Sequence, residues 1–237
     1  MNETPPSARQ RELLAQDRWA WLRDLLHYWY AEPLTARDGS PLELIDAAQE
    51  RLGVRLPTAL REWYELVGQR LDWIQDRPLP LELLEVTDGR ILFWVENQGV
   101  WQVLVRPDGE DPEATATQGD AGTAVPLSSW LRALTVSDTL VAVWSGAGHG
   151  ILGRLSPETR GEVFYEFTAH DVERLTAAYP ELPIPPLPYW SAPPRGGSPV
   201  IIRCDGIDGA MLEWATATDD AFASLGQVLD LERGGDW

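Results

Sequence analysis

The stretch Ile45-Asp46-Ala47-Ala48-Gln49-Glu50-Arg51-Leu52-Gly53-Val54-Arg55-Leu56-Pro57-Thr58-Ala59-Leu60-Arg61-Glu62-Trp63-Tyr64 carries the clearest structural signal in the chain. Ile45, Ala48, Gln49 and Leu52 fall at spacings of three and four, which puts them on one face of a helix. Gly53 follows as a C-terminal stop. Leu56-Pro57 opens a second helix, with Pro in the first turn, where its missing N–H costs little. Leu60, Trp63, Tyr64 and Val67 then repeat at i, i+3, i+4 and i+7, and Gly68 closes the segment. Two short amphipathic helices joined by a tight elbow are expected.

Upstream, residues 8 to 30 read as one helix. Leu14, Trp21, Leu22, Leu25 and Trp29 form its apolar side, and Ala31-Glu32-Pro33 ends it. Residues 1–40 are expected to be an N-terminal helical extension of a domain spanning 41–237. Downstream, Asp88-Gly89 is a turn signal before a strand from Arg90 to Val95. Glu96-Asn97-Gln98-Gly99 makes a second turn, and Val100 to Val105 completes a β-hairpin. Residues 106 to 124 read as a polar loop holding Asp108, Glu110, Asp111, Glu113 and Asp120, with Arg106 its one basic residue. Ser128 or Ser129 can cap a helix carrying Leu127, Trp130, Leu131 and Leu134.

Leu140 to Ser145 reads as a strand, Ser145 to Gly150 as a glycine-rich turn, and Glu162 to Phe167 as another strand. Thr168-Ala169-His170-Asp171 fits a capping box for a helix with Val172, Leu175 and Tyr179 on one side. Pro180 to Pro199 holds eight prolines and reads as an extended connection. Strands at Val200–Cys204 and Ala210–Thr216 flank a turn, and Asp219 or Asp220 starts a last helix through Phe222, Leu225 and Leu229. Short helices alternating with hairpin-connected strands argue for an α+β fold, with a mainly antiparallel sheet flanked by short helices.

Composition narrows the chemistry. The chain has 37 acidic residues against 19 basic ones, a formal net charge of −18, and every one of those basic residues is Arg. The absence of Lys excludes a phosphate-loop lysine and a Schiff-base lysine. The acidic field disfavours nucleic acid and favours basic partners. One cysteine, Cys204, excludes an internal disulfide and a cysteine zinc cage. The polar start lacks the features of a signal peptide, and no long apolar run suggests a membrane span, so a cytoplasmic protein is expected.

Ser145-Gly146-Ala147-Gly148-His149-Gly150 lacks the lysine of a phosphate loop. His170-Asp171 resembles a metal pair, but His27 and His149 have no ligand spacing to it, and helix capping accounts for Asp171. Neither a Gly-x-Ser-x-Gly elbow nor a His-Glu-x-x-His pair is present. No catalytic residue, metal or cofactor is expected.

The Ile45–Tyr64 stretch resembles the opening signature of the SUKH superfamily: an acidic helix, a Leu-Gly-x-x-Leu-Pro elbow, and a second helix with aromatic residues. Glu96-Asn97-Gln98-Gly99-Val100-Trp101 is similar to the hairpin that follows in many members. Asp111-Pro112 and the Trp130 helix sit where members carry an acidic-proline loop and a helix. The resemblance covers roughly residues 42–135. It implies a binding fold, usually without catalysis, shared by fungal cell-wall synthesis regulators and bacterial immunity proteins.

The function implied is that of an immunity protein neutralising a cognate toxin by direct binding. The alternatives are a regulatory protein-binding scaffold of the same superfamily and a small-molecule-binding domain. Toxins that cut nucleic acid carry a basic cleft for phosphates, which an acidic protein can occupy. The expected contact face combines Trp94, Glu96 and Trp101 of the hairpin with Asp108, Glu110, Asp111 and Glu113 of the loop, the tryptophans serving as anchors. Trp63, Trp130 and Trp144 lie on apolar faces and are expected in the core. Trp73, Trp190, Trp214 and Trp237 are left unassigned. The sequence does not fix the toxin's identity or the oligomeric state.

Overall fold

The computed structural model describes residues 4–72, 76–117, 124–164, 168–179, 181–182, 189–191, 200–205 and 211–229. Asp120, Trp73, Trp237, the end of the strand expected at 162–167 and the turn at 206–209 lie outside these residues.

The N-terminal stretch forms two helices, α1 (Ala8–Leu14) and α2 (Asp17–Trp29), rather than one. Ser7 caps α1 in a reciprocal capping box with Gln10. At Ala15–Gln16 the chain tightens through i→i−3 bonds and restarts, without Pro or Gly to mark the break. The change of direction lets Leu13, Leu14, Trp19 and Leu22 all reach the interior. Both helices share one hydrophobic core with the residues after position 41, so residue 40 is not a boundary between cores.

The elbow forms as the sequence dictates. α3 (Leu42–Leu52) ends at Gly53, which adopts the left-handed conformation (φ 69°) that favours glycine. Gln49 Oε1 accepts the Leu56 N–H at 3.0 Å and stitches the elbow shut. α4 (Thr58–Val67) begins after Pro57, which occupies the cap rather than the first turn. Leu60, Trp63, Tyr64 and Val67 are fully buried.

The first sheet follows. β1 (Arg77–Pro78), a 3-10 turn (Leu81–Leu83) and β2 (Glu85–Thr87) run along one edge of β3 (Arg90–Val95). β4 (Gln102–Val105), β5 (Glu113–Ala116) and β6 (Val125–Pro126) extend the other side, giving the order β1-β3-β4-β5-β6. Asp88 (φ 52°) and Gly89 (φ 73°) form the double left-handed turn that suits a tight hairpin. β5 lies inside the stretch expected to be an unbroken polar loop.

α5 (Leu127–Trp144) then passes through the centre of the molecule, with 13 of its 18 residues buried. It packs against α2, α4, β5 and β6 on one side and the second sheet on the other. The strand expected at Leu140–Ser145 is therefore incorrect: those residues, up to Trp144, are the last turns of this helix. A helix buried all round shows no amphipathic period, and its Val141-Ala142-Val143 run reads equally as a buried strand. Nor do Ser128 or Ser129 cap it; Pro126 occupies the cap position.

After the small hairpin of β7 (His149–Gly150) and β8 (Gly153–Arg154), the second antiparallel sheet is built from five strands. These are β9 (Arg160–Phe164), β10 (Glu181–Leu182), β11 (Tyr189–Ser191), β12 (Val200–Asp205) and β13 (Met211–Thr216), ordered β10-β11-β12-β13-β9. The proline-rich connection thus contributes two short strands. One face of this sheet, with Ile201 and Ala215, joins the main core. The other, with Val200, Ile202, Leu212 and Trp214, forms a second core with α6 (Ala169–Ala178) and α7 (Asp219–Leu229). The Thr168–Asp171 capping box of α6 is present as expected. The architecture is α+β with antiparallel sheets.

Candidate protein-binding surface

The structure separates the residues expected to form one contact face. Trp94 is fully buried, at 0% exposure, and is not a surface anchor. The register of β3 on β4 shifts between Leu92 and Trp94, and all four residues Ile91–Trp94 are buried because both faces of the sheet are covered. Trp101 is half-buried against the main core. Glu96 holds its own turn: its Oε2 accepts the N–H groups of Gln98 at 3.0 Å and Val100 at 2.9 Å.

The loop from Asp108 to Pro112 is a bracket rather than a free acidic arm. Asp108, itself left-handed (φ 63°), donates its N–H to the Arg55 carbonyl. The carbonyls of Gly109 and Glu110 accept the first N–H groups of α4, from Thr58 at 3.0 Å and Ala59 at 2.9 Å. The carbonyl of Pro112 accepts the N–H of Leu127, and both carboxylate oxygens of Asp111 bind Ser128, one its N–H at 2.9 Å and the other its hydroxyl at 2.6 Å. One short segment therefore satisfies the N-terminal donors of two helices, and the Asp111 charge complements the dipole of α5. Glu110 is engaged by Arg18 at 2.8 Å. Asp108 and Glu113 are exposed, and among the described residues neither is ion-paired. The turn at 96–101 and the bracket at 108–112 lie at opposite ends of β4, whose four residues span about 13 Å.

Several arginines, some of them partly exposed, reach buried carboxylates or backbone carbonyls. Arg9 and Arg61 reach Glu65 at 2.9 and 3.2 Å, Arg18 reaches Glu62 at 3.2 Å, and Arg203 pairs with Glu213. Arg70 bonds the carbonyls of Glu32, Pro33 and Leu152 and the Asp38 carboxylate. Asp76 sits near Glu96 and Arg203; burial first, then the Glu96 charge, push its carboxyl up to about 6, while the Asn97 N–H and Arg203 oppose the shift.

Sequence reasoning missed a different surface. Six large apolar side chains are strongly exposed among the described residues, and four of them lie on α3 and the 3-10 turn–β2 segment: Leu42 (56%), Leu44 (41%), Leu83 (53%) and Val86 (38%). The signal was available on α3, where Leu44 falls off the Ile45–Ala48–Leu52 stripe. The same two elements carry exposed carboxylates: Glu43, Asp46 and Glu50 on α3, and Glu82, Glu85 and Asp88 on the neighbouring segment and the turn after it. A shallow cleft of about 550 Å³ at the elbow, lined by Gln49, Glu50, Gly53, Val54, Arg55 and Asp108, lies at the far end of α3.

His27, His149 and His170 are exposed, and among the described residues no three His, Cys, Asp or Glu side chains converge as a metal site. No helix among the described residues is long and apolar enough to cross a membrane. Comparison with protein-family models, with curated proteins and with solved structures found no match.

Proposed function

We propose that this chain is an immunity protein of the SUKH type, which neutralises a toxin in the cytoplasm by binding its basic domain as a stoichiometric complex. The observation that carries this reading is the distribution of charge. A chain of net charge −18 commits several of its arginines to buried carboxylates and backbone carbonyls, while α3 and the 3-10 turn–β2 segment hold their carboxylates in solvent. Such a surface attracts a cationic protein from a distance and rejects nucleic acid. Neutralisation then follows from occupation: a toxin whose phosphate-binding cleft is filled or rimmed by this surface cannot admit its substrate.

The test is co-expression with the toxin domain encoded beside this gene. Survival of the host and a stoichiometric complex on gel filtration are expected. Equal killing with and without this chain overturns the reading.

A further inference from the structure

We propose that the exposed face formed by α3 and the 3-10 turn–β2 segment is the docking surface, and that its occupant is a cationic, amphipathic surface of a partner protein. The proposal rests on the reading above for the partner's charge, and on the structure for the place.

The two elements are neighbours. Arg51, in the last turn of α3, donates from Nη2 to the Leu81 carbonyl at 2.7 Å, which fixes the 3-10 turn against that side of the helix. Leu44 precedes Arg51 by seven residues, two helical turns, and so lies on the same side. Leu84, fully buried, pins the chain between the exposed Leu83 and β2. Val86 then stands on a strand that, among the described residues, pairs with β3 alone, and all three β2 residues are exposed. The buried stripe of α3 (Ile45, Ala48) points into the core, so nothing in the fold of the described residues needs Leu44, Leu83 or Val86 on the outside.

Charge decides what covers them. Glu43 and Glu50 of α3, and Glu82 and Glu85 beside Leu83 and Val86 in the chain, are all exposed and none is ion-paired among the described residues, so the two elements carry more carboxylates than the one exposed cation between them, Arg51, offsets. A second copy of this face would set like charges against each other, which disfavours self-association. An acidic or nucleic-acid partner is rejected for the same reason. A surface that presents aliphatic side chains flanked by Lys or Arg satisfies both features: the apolar contacts anchor, and the cations neutralise the rim.

The test uses the full chain and two probes. The first is a synthetic amphipathic helix with one Leu face and one Lys face, titrated while backbone amide resonances are followed. Shifts concentrated at residues 42–51 and 81–88 are expected. The double variant Leu44→Ser/Leu83→Ser should weaken binding about thirtyfold, the scale of losing an interface anchor. Asp108→Asn/Glu113→Gln should leave affinity close to wild type. Shifts spread over every exposed carboxylate, or centred on 96–101 and 106–113, overturn the proposal, as does unchanged affinity of the double Ser variant.

The second probe is the toxin domain encoded beside this gene. Loss of protection in the double Ser variant but not in the loop variant supports the surface. Protection that survives the double Ser variant overturns the surface and leaves the immunity reading standing. A peptide that maps to the face while the toxin is not bound overturns the immunity reading and supports the surface.

Discussion

The indole Nε1 of Trp19 donates to the buried carboxylate of Glu62 at 2.9 Å, joining α2 to α4 across 43 positions of sequence. Arg18 Nη1 reaches the same carboxylate oxygen at 3.2 Å. The N-terminal helices are thereby built into the elbow rather than appended to it. Glu62→Ala removes the acceptor from a buried indole and from a partly buried guanidinium, and should cost about 3 kcal/mol. Glu62→Gln keeps an acceptor and should cost about 1 kcal/mol. Urea midpoints of the two variants check the order; equal midpoints would refute the pairing.

Trp63 tests the core beneath this contact. It is 1% exposed and completes a triangle of indoles, with ring centroids 6.0 Å from Trp19 and 6.3 Å from Trp21, which are 6.3 Å from each other. Trp63→Ala should cost about 3–5 kcal/mol, and Trp63→Phe distinctly less, because a smaller cavity is left. A denaturant midpoint unchanged by the Ala substitution would show that the elbow is not packed as described.

These contacts also mark what the sequence made legible. The elbow could be read because its determinants are local: Gly53 must adopt a positive φ, Pro57 must precede a helix, and the apolar spacing from Leu60 to Val67 is regular. The Asp88-Gly89 turn and the Thr168–Asp171 capping box were readable for the same reason. Trp94 was not, because whether a strand faces water depends on what covers the second face of its sheet. The end of α5 was hidden by burial on every side. The Asp108–Pro112 bracket was hidden because its donors, Thr58, Ala59 and Ser128, lie far away in sequence or on another element. The acidic contact residues Asp108, Glu110, Asp111 and Glu113 rest on charge, and charge does not distinguish a helix-capping carboxylate from a free one.

Asp111 and Asp108 make that distinction measurable. Asp111→Ala removes both contacts to Ser128 at the start of α5 and should cost about 1–2 kcal/mol, as loss of a helix cap does. Asp108→Asn preserves a side chain that tolerates the left-handed conformation and should change stability by less than about 0.5 kcal/mol. Asp108→Val, β-branched at φ 63°, should cost about 1–2 kcal/mol. Thermal or urea unfolding of the three variants is the check, and equal losses for Asp111→Ala and Asp108→Asn would count against the bracket.

Asp76 gives the fold a pH dependence of a definite sign. Its carboxyl titrates near 6 in the folded chain, raised by burial and by Glu96, with Arg203 of β12 opposing; Arg203 is itself held by Glu213 and by the Ser137 hydroxyl. In the unfolded chain the same group titrates near its ordinary value of 3.8. Between about pH 4 and pH 6 the folded state therefore binds more protons than the unfolded one, and this group's contribution to stability falls as pH rises. Above about pH 6 the loss is complete. Because the side chain is partly solvated, screening reduces the effect to about 1 kcal/mol. Asp76→Asn removes the titrating group, so the variant should gain about 1 kcal/mol on wild type as pH rises from about 4 to 7. The difference between the two unfolding free energies, measured across that range, isolates Asp76 from the other carboxylates. A flat difference would mean that Asp76 does not titrate as its surroundings dictate.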